Sequence, residues 1–200
     1  MQIVLHRRNT RAELEATPKQ FGVEVDIRSY GDDLIINHDP FTTGERFDEW
    51  IAGYQHKLLI LNTKEEGLEE RLIRMMDEHD IKDFFFLDQS FPFLIKTAET
   101  GEGRCAARVS EYEPITLALS LKGLISWVWV DCFSRFPLTG DSAKALQCAG
   151  MQLCLVSPEL QGRTDPKEIF ELRDFLTSEK IKADAVCTKR PDLWGTNHAV

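Results

Sequence analysis

Residues 22–40 of the chain are GVEVDIRSYGDDLIINHDP. The opening GVEVDI has the apolar density of a buried strand, yet it carries two acids, Glu24 and Asp26. A strand turns alternate side chains to opposite faces, so these two acids share one face and the valines the other. Under a layer of helices, two unpartnered acids would cost several kcal/mol each. The strand therefore has to deliver its acid face to a wet place. A few residues later a second apolar run, LII, ends in Asn37, His38 and Asp39.

Runs like GVEVDI recur along the chain. QIVLH, GVEVDI, KLLILNT, DFFFLDQ, RCAARVS, ISWVWVD, MQLCLVS and ADAVCTK all have strand character. Helix-like segments, or gaps of helix length, separate them. In EEGLEERLIRMMDEHD, Leu68, Leu72, Met75 and Met76 fall on one face. In DPKEIFELRDFLTSEK, Asp165 or Thr164 is placed to cap the start and Pro166 to occupy the first helical position. NTRAELEATPKQF, ERFDEWIAGYQ, PITLALSLKGL and DSAKALQCAG are weaker helices. Strands apolar on both faces mean a parallel sheet covered by helices. Eight in alternation point to a compact (β/α)8 TIM barrel, with the 200 residues forming one domain and 191–200 a loose tail. A doubly wound open sheet is the alternative, but neither GxGxxG nor GxxxxGK[ST] is present.

Composition narrows the function. The net charge is −9, with acids spread along the chain. That excludes a nucleic-acid surface, which needs a basic stripe. It leaves room for a small anionic substrate, which needs only a local positive field. No apolar stretch approaches the roughly 20 residues of a membrane helix, and no secretory signal is visible, so a cytoplasmic location is expected. The five cysteines form no CxxC pair and are expected as reduced core residues.

A barrel carries its active site at the C-terminal ends of its strands. The residues expected there are His6 and Arg7; Glu24 and Asp26; His38 and Asp39; Asn62 and Lys64; Asp88; Arg108; Trp129 and Asp131; Ser157 and Glu159; and Lys189. Glu24 and Asp26 side by side supply hard oxygen ligands for Mg²⁺ or Ca²⁺. They could equally form a structural ion network with Arg7, Arg28 or Lys64. Two histidines at one mouth supply a base and an acid, as cleavage of a phosphate ester requires. Trp129 could stack a sugar or polyol, or pack in the core beside Trp127.

HRRN, VEVDI, INHDP and LNTK, in that order, resemble the glycerophosphodiester phosphodiesterase family within the phospholipase-C-like phosphodiesterase barrels. DQSFPFL and ADAVCTKRPD resemble that family's segments after strand four and at the closing strand. The resemblance implies a TIM barrel that hydrolyses a small phosphodiester with Mg²⁺ or Ca²⁺. It implies His6 and His38 as the acid–base pair, and Glu24, Asp26 and Asn62 at the metal. It implies Arg7 and Lys64 on the phosphate, with Arg108, Trp129, Asp131, Glu159 and Lys189 as further substrate-binding residues. Three features depart from the family. Asn62 stands where a third acid is usual, Lys189 where Asp is common, and the usual insertion between strands two and three is absent. Two rivals stay open: metal-independent cleavage using Arg7, Lys64 and Lys189, and a binding barrel without turnover.

Overall fold

The computed structural model describes residues 1–195. The chain divides into two compact units, one of Val4–Cys105 and one of Met1–Ile3 with the chain from Ala106 onward.

In the first unit the end of β1 (Gln2–Leu5) lies parallel to β2 (Gly22–Tyr30), pairing Val4 with Gly22 and Leu5 with Val23. On its other side β2 runs parallel to β5 (Leu59–Thr63), which in turn pairs with β6 (Phe84–Leu87). The β2–β5 register sets Asp26 opposite Asn62. Beyond Asp26, β2 continues into an antiparallel excursion, β3 (Asp33–Ile36) and then β4 (Glu45–Arg46). The apolar run before His38 is thus a hairpin strand of its own. The strands are apolar on both faces: Ile60, Leu61, Phe85 and Phe86 are fully buried. Burying each such side chain contributes about 1.5–3 kcal/mol relative to leaving it exposed.

Helices α1 (Arg11–Ala16), α2 (Phe47–Ile51), α3 (Glu69–Glu78) and α4 (Phe91–Glu99) connect these strands. Thr10 and Glu13 close a capping box at the start of α1. In α3, Leu72 and Met76 are buried on the expected face and Met75 is half-buried. α4 lies in a stretch whose sequence gave only a gap of helix length. Its start, Ser-Phe-Pro-Phe, is aromatic and carries Pro at a first-turn position, which hides the 3.6-residue period.

The second unit has β7 (Ala106–Val109), β8 (Trp127–Val130), β9 (Gln152–Val156) and β10 (Ala185–Thr188), all parallel, with Gln2 N–H donating to Asp184 O. Its helices are α5 (Ile115–Ser120), α6 (Gly140–Cys148), α7 (Pro166–Ser178) and α8 (Pro191–Trp194), with a 3-10 turn at Pro158–Gln161. Asp165 caps α7 through Lys167 N–H and Pro166 is its first residue. The stretch from 191 is not loose at its beginning. Leu193 and Trp194 are buried, and the Trp194 indole donates to Ser157 Oγ at 2.7 Å. Residues 196–200, including His198, lie outside the described residues.

Candidate active site

The centre belongs wholly to the Val4–Cys105 unit. Glu24 and Asp26 are both completely buried on one face of β2, which corrects the expectation of a wet place for them; their burial is offset by polar and cationic partners instead. Glu24 accepts from the Asn62 amide at Oε1 (2.7 Å) and from the Arg7 backbone N–H at Oε2 (2.7 Å). His6 Nε2 lies 3.9 Å from the same Oε2. Burial first, and the neighbouring Asp26 charge second, push the Glu24 carboxyl up to about 7, while the Asn62 and Arg7 hydrogen bonds pull it down.

Asp26 is surrounded by cations. Arg7 Nε is 3.4 Å from Oδ2 and Lys64 Nζ is 3.3 Å from Oδ1. Lys64 also reaches Asp88 Oδ2 at 3.2 Å. Arg7 and Asp88 follow strands β1 and β6 in left-handed backbone conformations, φ 52° and 60°, which non-glycine residues seldom adopt. The structure therefore holds these two side chains in place at some backbone cost.

His38 comes to the site on the β3–β4 excursion. Its neighbour Asn37 donates its N–H to Asp26 O at 3.1 Å. The His38 carbonyl accepts from Arg28 Nε and Nη2 at 3.3 and 3.0 Å. Its ring Nδ1 lies 2.8 Å from Asp39 Oδ1, and that bond holds the Asp39 carboxyl below its usual range. With Nδ1–H donated to Asp39, Nε2 is left as the basic nitrogen; this tautomer is assigned from the network. The side chain is 42% exposed, open to a substrate.

The residues were also tested against a divalent cation. Two oxygens at the centre, Asp26 Oδ1 and Asn62 Oδ1, are buried and accept no hydrogen bond among the described residues. Two carboxylates and one neutral amide oxygen match the ligand preferences of a hard ion, which completes its shell with water and substrate oxygens. The donor set fits such an ion. Among the described residues no three His, Cys, Asp or Glu side chains gather into a metal cluster.

The remaining expected residues lie in the second unit. Arg108 pairs with Asp131, whose Oδ1 also accepts from Gln161 Nε2 at 2.6 Å and Cys132 N at 2.9 Å. Glu159 accepts from Thr188 Oγ1, Lys189 N and Ser157 Oγ, so its carboxylate is engaged in joining β9 to β10. Trp129 is 5% exposed and packs as a core residue, which corrects its reading as an open stacking face. The backbone N–H of Lys189 is taken by Glu159, while its side chain is exposed.

Sequence reasoning passed over Asn9, which bonds Asp26 twice (Nδ2 to Oδ2, 2.8 Å; Asp26 N to Oδ1, 3.1 Å). It also passed over Gln161. The one signal for Asn9 was a polar amide directly before the helix cap Thr10, where an N-terminal loop residue is unremarked.

No protein-family model matches the chain, and no curated protein matches it in sequence. Solved structures do. A glycerophosphodiester phosphodiesterase from Agrobacterium tumefaciens str. C58 superposes with a TM-score of 0.68 at 15% identity, covering 97% of this chain and 99% of that one. A glycerophosphoryl diester phosphodiesterase from Parabacteroides distasonis ATCC 8503 gives 0.65 at 14% identity, covering 96% and 84%. In fold, over nearly its whole length, this chain is similar to glycerophosphodiester phosphodiesterases.

Proposed function

We propose that the chain hydrolyses small phosphodiesters of the glycerophosphodiester type, with His6 and His38 as the acid–base pair. The observation that carries this is the completely buried Glu24–Asp26 pair, with His6 beside Glu24 and both Arg7 and Lys64 at Asp26. A buried acid pair surrounded by cations and a histidine is an arrangement for handling a phosphate, and the fold similarity points to the same chemistry.

The residues divide the work as follows. His38, oriented by Asp39, takes the proton of the attacking water or hydroxyl at Nε2. The new P–O bond forms as the bond to the leaving alcohol breaks, and His6 protonates that oxygen. Glu24 Oε2 lies 3.9 Å from Nε2 of the His6 ring that performs this step. Arg7 and Lys64 oppose the charge that accumulates on the phosphoryl oxygens. Glu24, Asp26 and Asn62 would hold Mg²⁺ or Ca²⁺. When bound, the ion supplies Lewis-acid polarisation of those same oxygens.

This reading uses the complete (β/α)8 barrel as a single domain, supported by the strand–helix alternation and the coverage of the neighbours. Five free cysteines, four of them buried, suit a reducing cytoplasm. Among the described residues no helix is long and apolar enough to cross a membrane. Arg108, Asp131, Glu159 and Lys189 would act at most as a substrate rim.

One observation favours the metal-independent rival: Arg7 and Lys64 already bring two positive charges to Asp26. A ³¹P NMR assay of glycerophosphodiesters, with EDTA or with Mg²⁺ or Ca²⁺, separates the readings. Conversion to a phosphomonoester only with metal is the expected result. Conversion that survives EDTA would move the charge-stabilising role to Arg7 and Lys64, and no conversion of any diester would remove the hydrolase reading.

A further inference from the structure

We propose that Asn9 is the positioning residue of the acid pair: its side-chain amide replaces the strand rung that β1 no longer supplies and fixes the Asp26 carboxylate in plane. The proposal rests on the phosphodiesterase reading for its consequence, though not for its geometry.

The pairing of β1 with β2 ends at Leu5 and Val23. The chain then turns away at Arg7, in the left-handed region. The edge of β2 beyond that point still carries polar backbone groups, and buried ones must find partners. Arg8 N–H serves the Glu24 carbonyl at 2.8 Å. The next group, Asp26 N–H, has no strand beside it, and Asn9 Oδ1 accepts it at 3.1 Å. The same amide then donates Nδ2–H to Asp26 Oδ2 at 2.8 Å.

The second bond sets the site. Among the described residues it is the only hydrogen bond to the Asp26 carboxylate; the contacts with Arg7 and Lys64 are ion pairs at 3.4 and 3.3 Å. Ion pairs tolerate rotation of the carboxylate, whereas a directed N–H···O bond does not. With Oδ2 held by Asn9, Oδ1 is turned toward Lys64 and remains without a hydrogen bond. A donor and an acceptor on one planar tip are needed for this, which only an amide side chain supplies. Aspartate at this position would keep an acceptor for the Asp26 N–H. It would also set a second negative charge against Oδ2.

The test compares wild type with Asn9→Ala and Asn9→Asp in steady-state hydrolysis, thermal melting and the ¹³Cγ resonance of Asp26. Loss of an orienting partner typically costs about 10- to 100-fold, so kcat is expected to fall by that factor in Asn9→Ala with KM nearly unchanged. Asn9→Asp should be no better than Asn9→Ala, although it preserves the shape. The Asp26 ¹³Cγ resonance should shift in both variants. Wild-type kcat in Asn9→Asp would overturn the proposal, because a packing role is satisfied by the isostere. So would a kcat loss matched entirely by a loss of folded protein. If the wild type itself cleaves no phosphodiester, the functional reading fails and the resonance alone decides. An Asp26 signal unmoved in Asn9→Ala would then overturn the positioning role as well.

Discussion

Asn62 is the residue on which the chemistry of the centre turns. Its amide donates to Glu24 Oε1 and leaves its own Oδ1 buried without a hydrogen bond among the described residues. With an acid here, two carboxylates would meet at hydrogen-bond distance inside the protein, and a cation or a shared proton would be needed to hold them together. Asn62→Glu should therefore lower the melting temperature of the metal-free protein. The same variant should bind Mg²⁺ or Ca²⁺ on the order of tenfold more tightly, because ligand charge sets affinity at such sites. Calorimetric titration and melting with and without the ion check both effects. Equal affinity in the two proteins would place Asn62 outside the ion's ligand shell. Glu24, Asp26 and their cationic partners were legible in the sequence, because acids on one face of an apolar strand demand partners. The orientation of Asp26 was not, because it depends on Asn9, seventeen residues away, and no local pattern reports such a bond.

At the scale of elements, the β3–β4 excursion decides whether His38 reaches the site. Arg28 holds the His38 carbonyl and Asn37 ties the turn to Asp26 O. The hairpin closes over Gly44, where an added Cβ would collide with the Ile36 carbonyl. That backbone atom belongs to the strand and cannot move aside. Gly44→Ala should thus destabilise the protein by about 1–3 kcal/mol, the usual cost of overpacking. It should also depress turnover more than this loss of stability explains, because it displaces His38. Urea unfolding and kcat, measured on the same sample, test this; an unchanged kcat would show that the excursion does not place the histidine. All eight parallel strands were legible from apolar runs. The hairpin strands were harder, since LII is too short to separate from a loop by periodicity. α4 was missed because its first turn is aromatic and proline-bearing rather than amphipathic.

Taken whole, the molecule carries a titrating group outside the site, His56, whose burial bears on stability. His56 Nε2 bonds the Thr17 carbonyl at 2.9 Å, and its Nδ1 is buried with no hydrogen-bond partner within reach among the described residues. Burial holds this imidazole below its ordinary 6.5, outweighing the Thr17 bond, which raises it. The unfolded chain therefore takes up the proton first as pH falls. The His56 contribution to stability is complete above 6.5 and declines through the window from there down to the lower folded value. Glu24, raised to about 7, contributes in the opposite sense, so the readout is a difference: between about pH 7.5 and 5 the melting temperature of wild type relative to His56→Gln should fall. An unaltered profile would assign the acid sensitivity elsewhere. This was not legible in the sequence, because His56 lies in a loop without a pattern and its environment is made by Thr17, distant in the chain. The fold similarity covers nearly the whole chain at 15% identity or less, so what is shared is the fold. The central claim is that His6 and His38 perform the proton transfers. The most direct test is the initial rate of bis(p-nitrophenyl) phosphate hydrolysis by wild type, His6→Ala and His38→Ala, with melting temperature as the folding control. Each variant should lose about two to four decades in kcat while melting close to wild type; a variant that folds normally and keeps the wild-type rate would contradict the account.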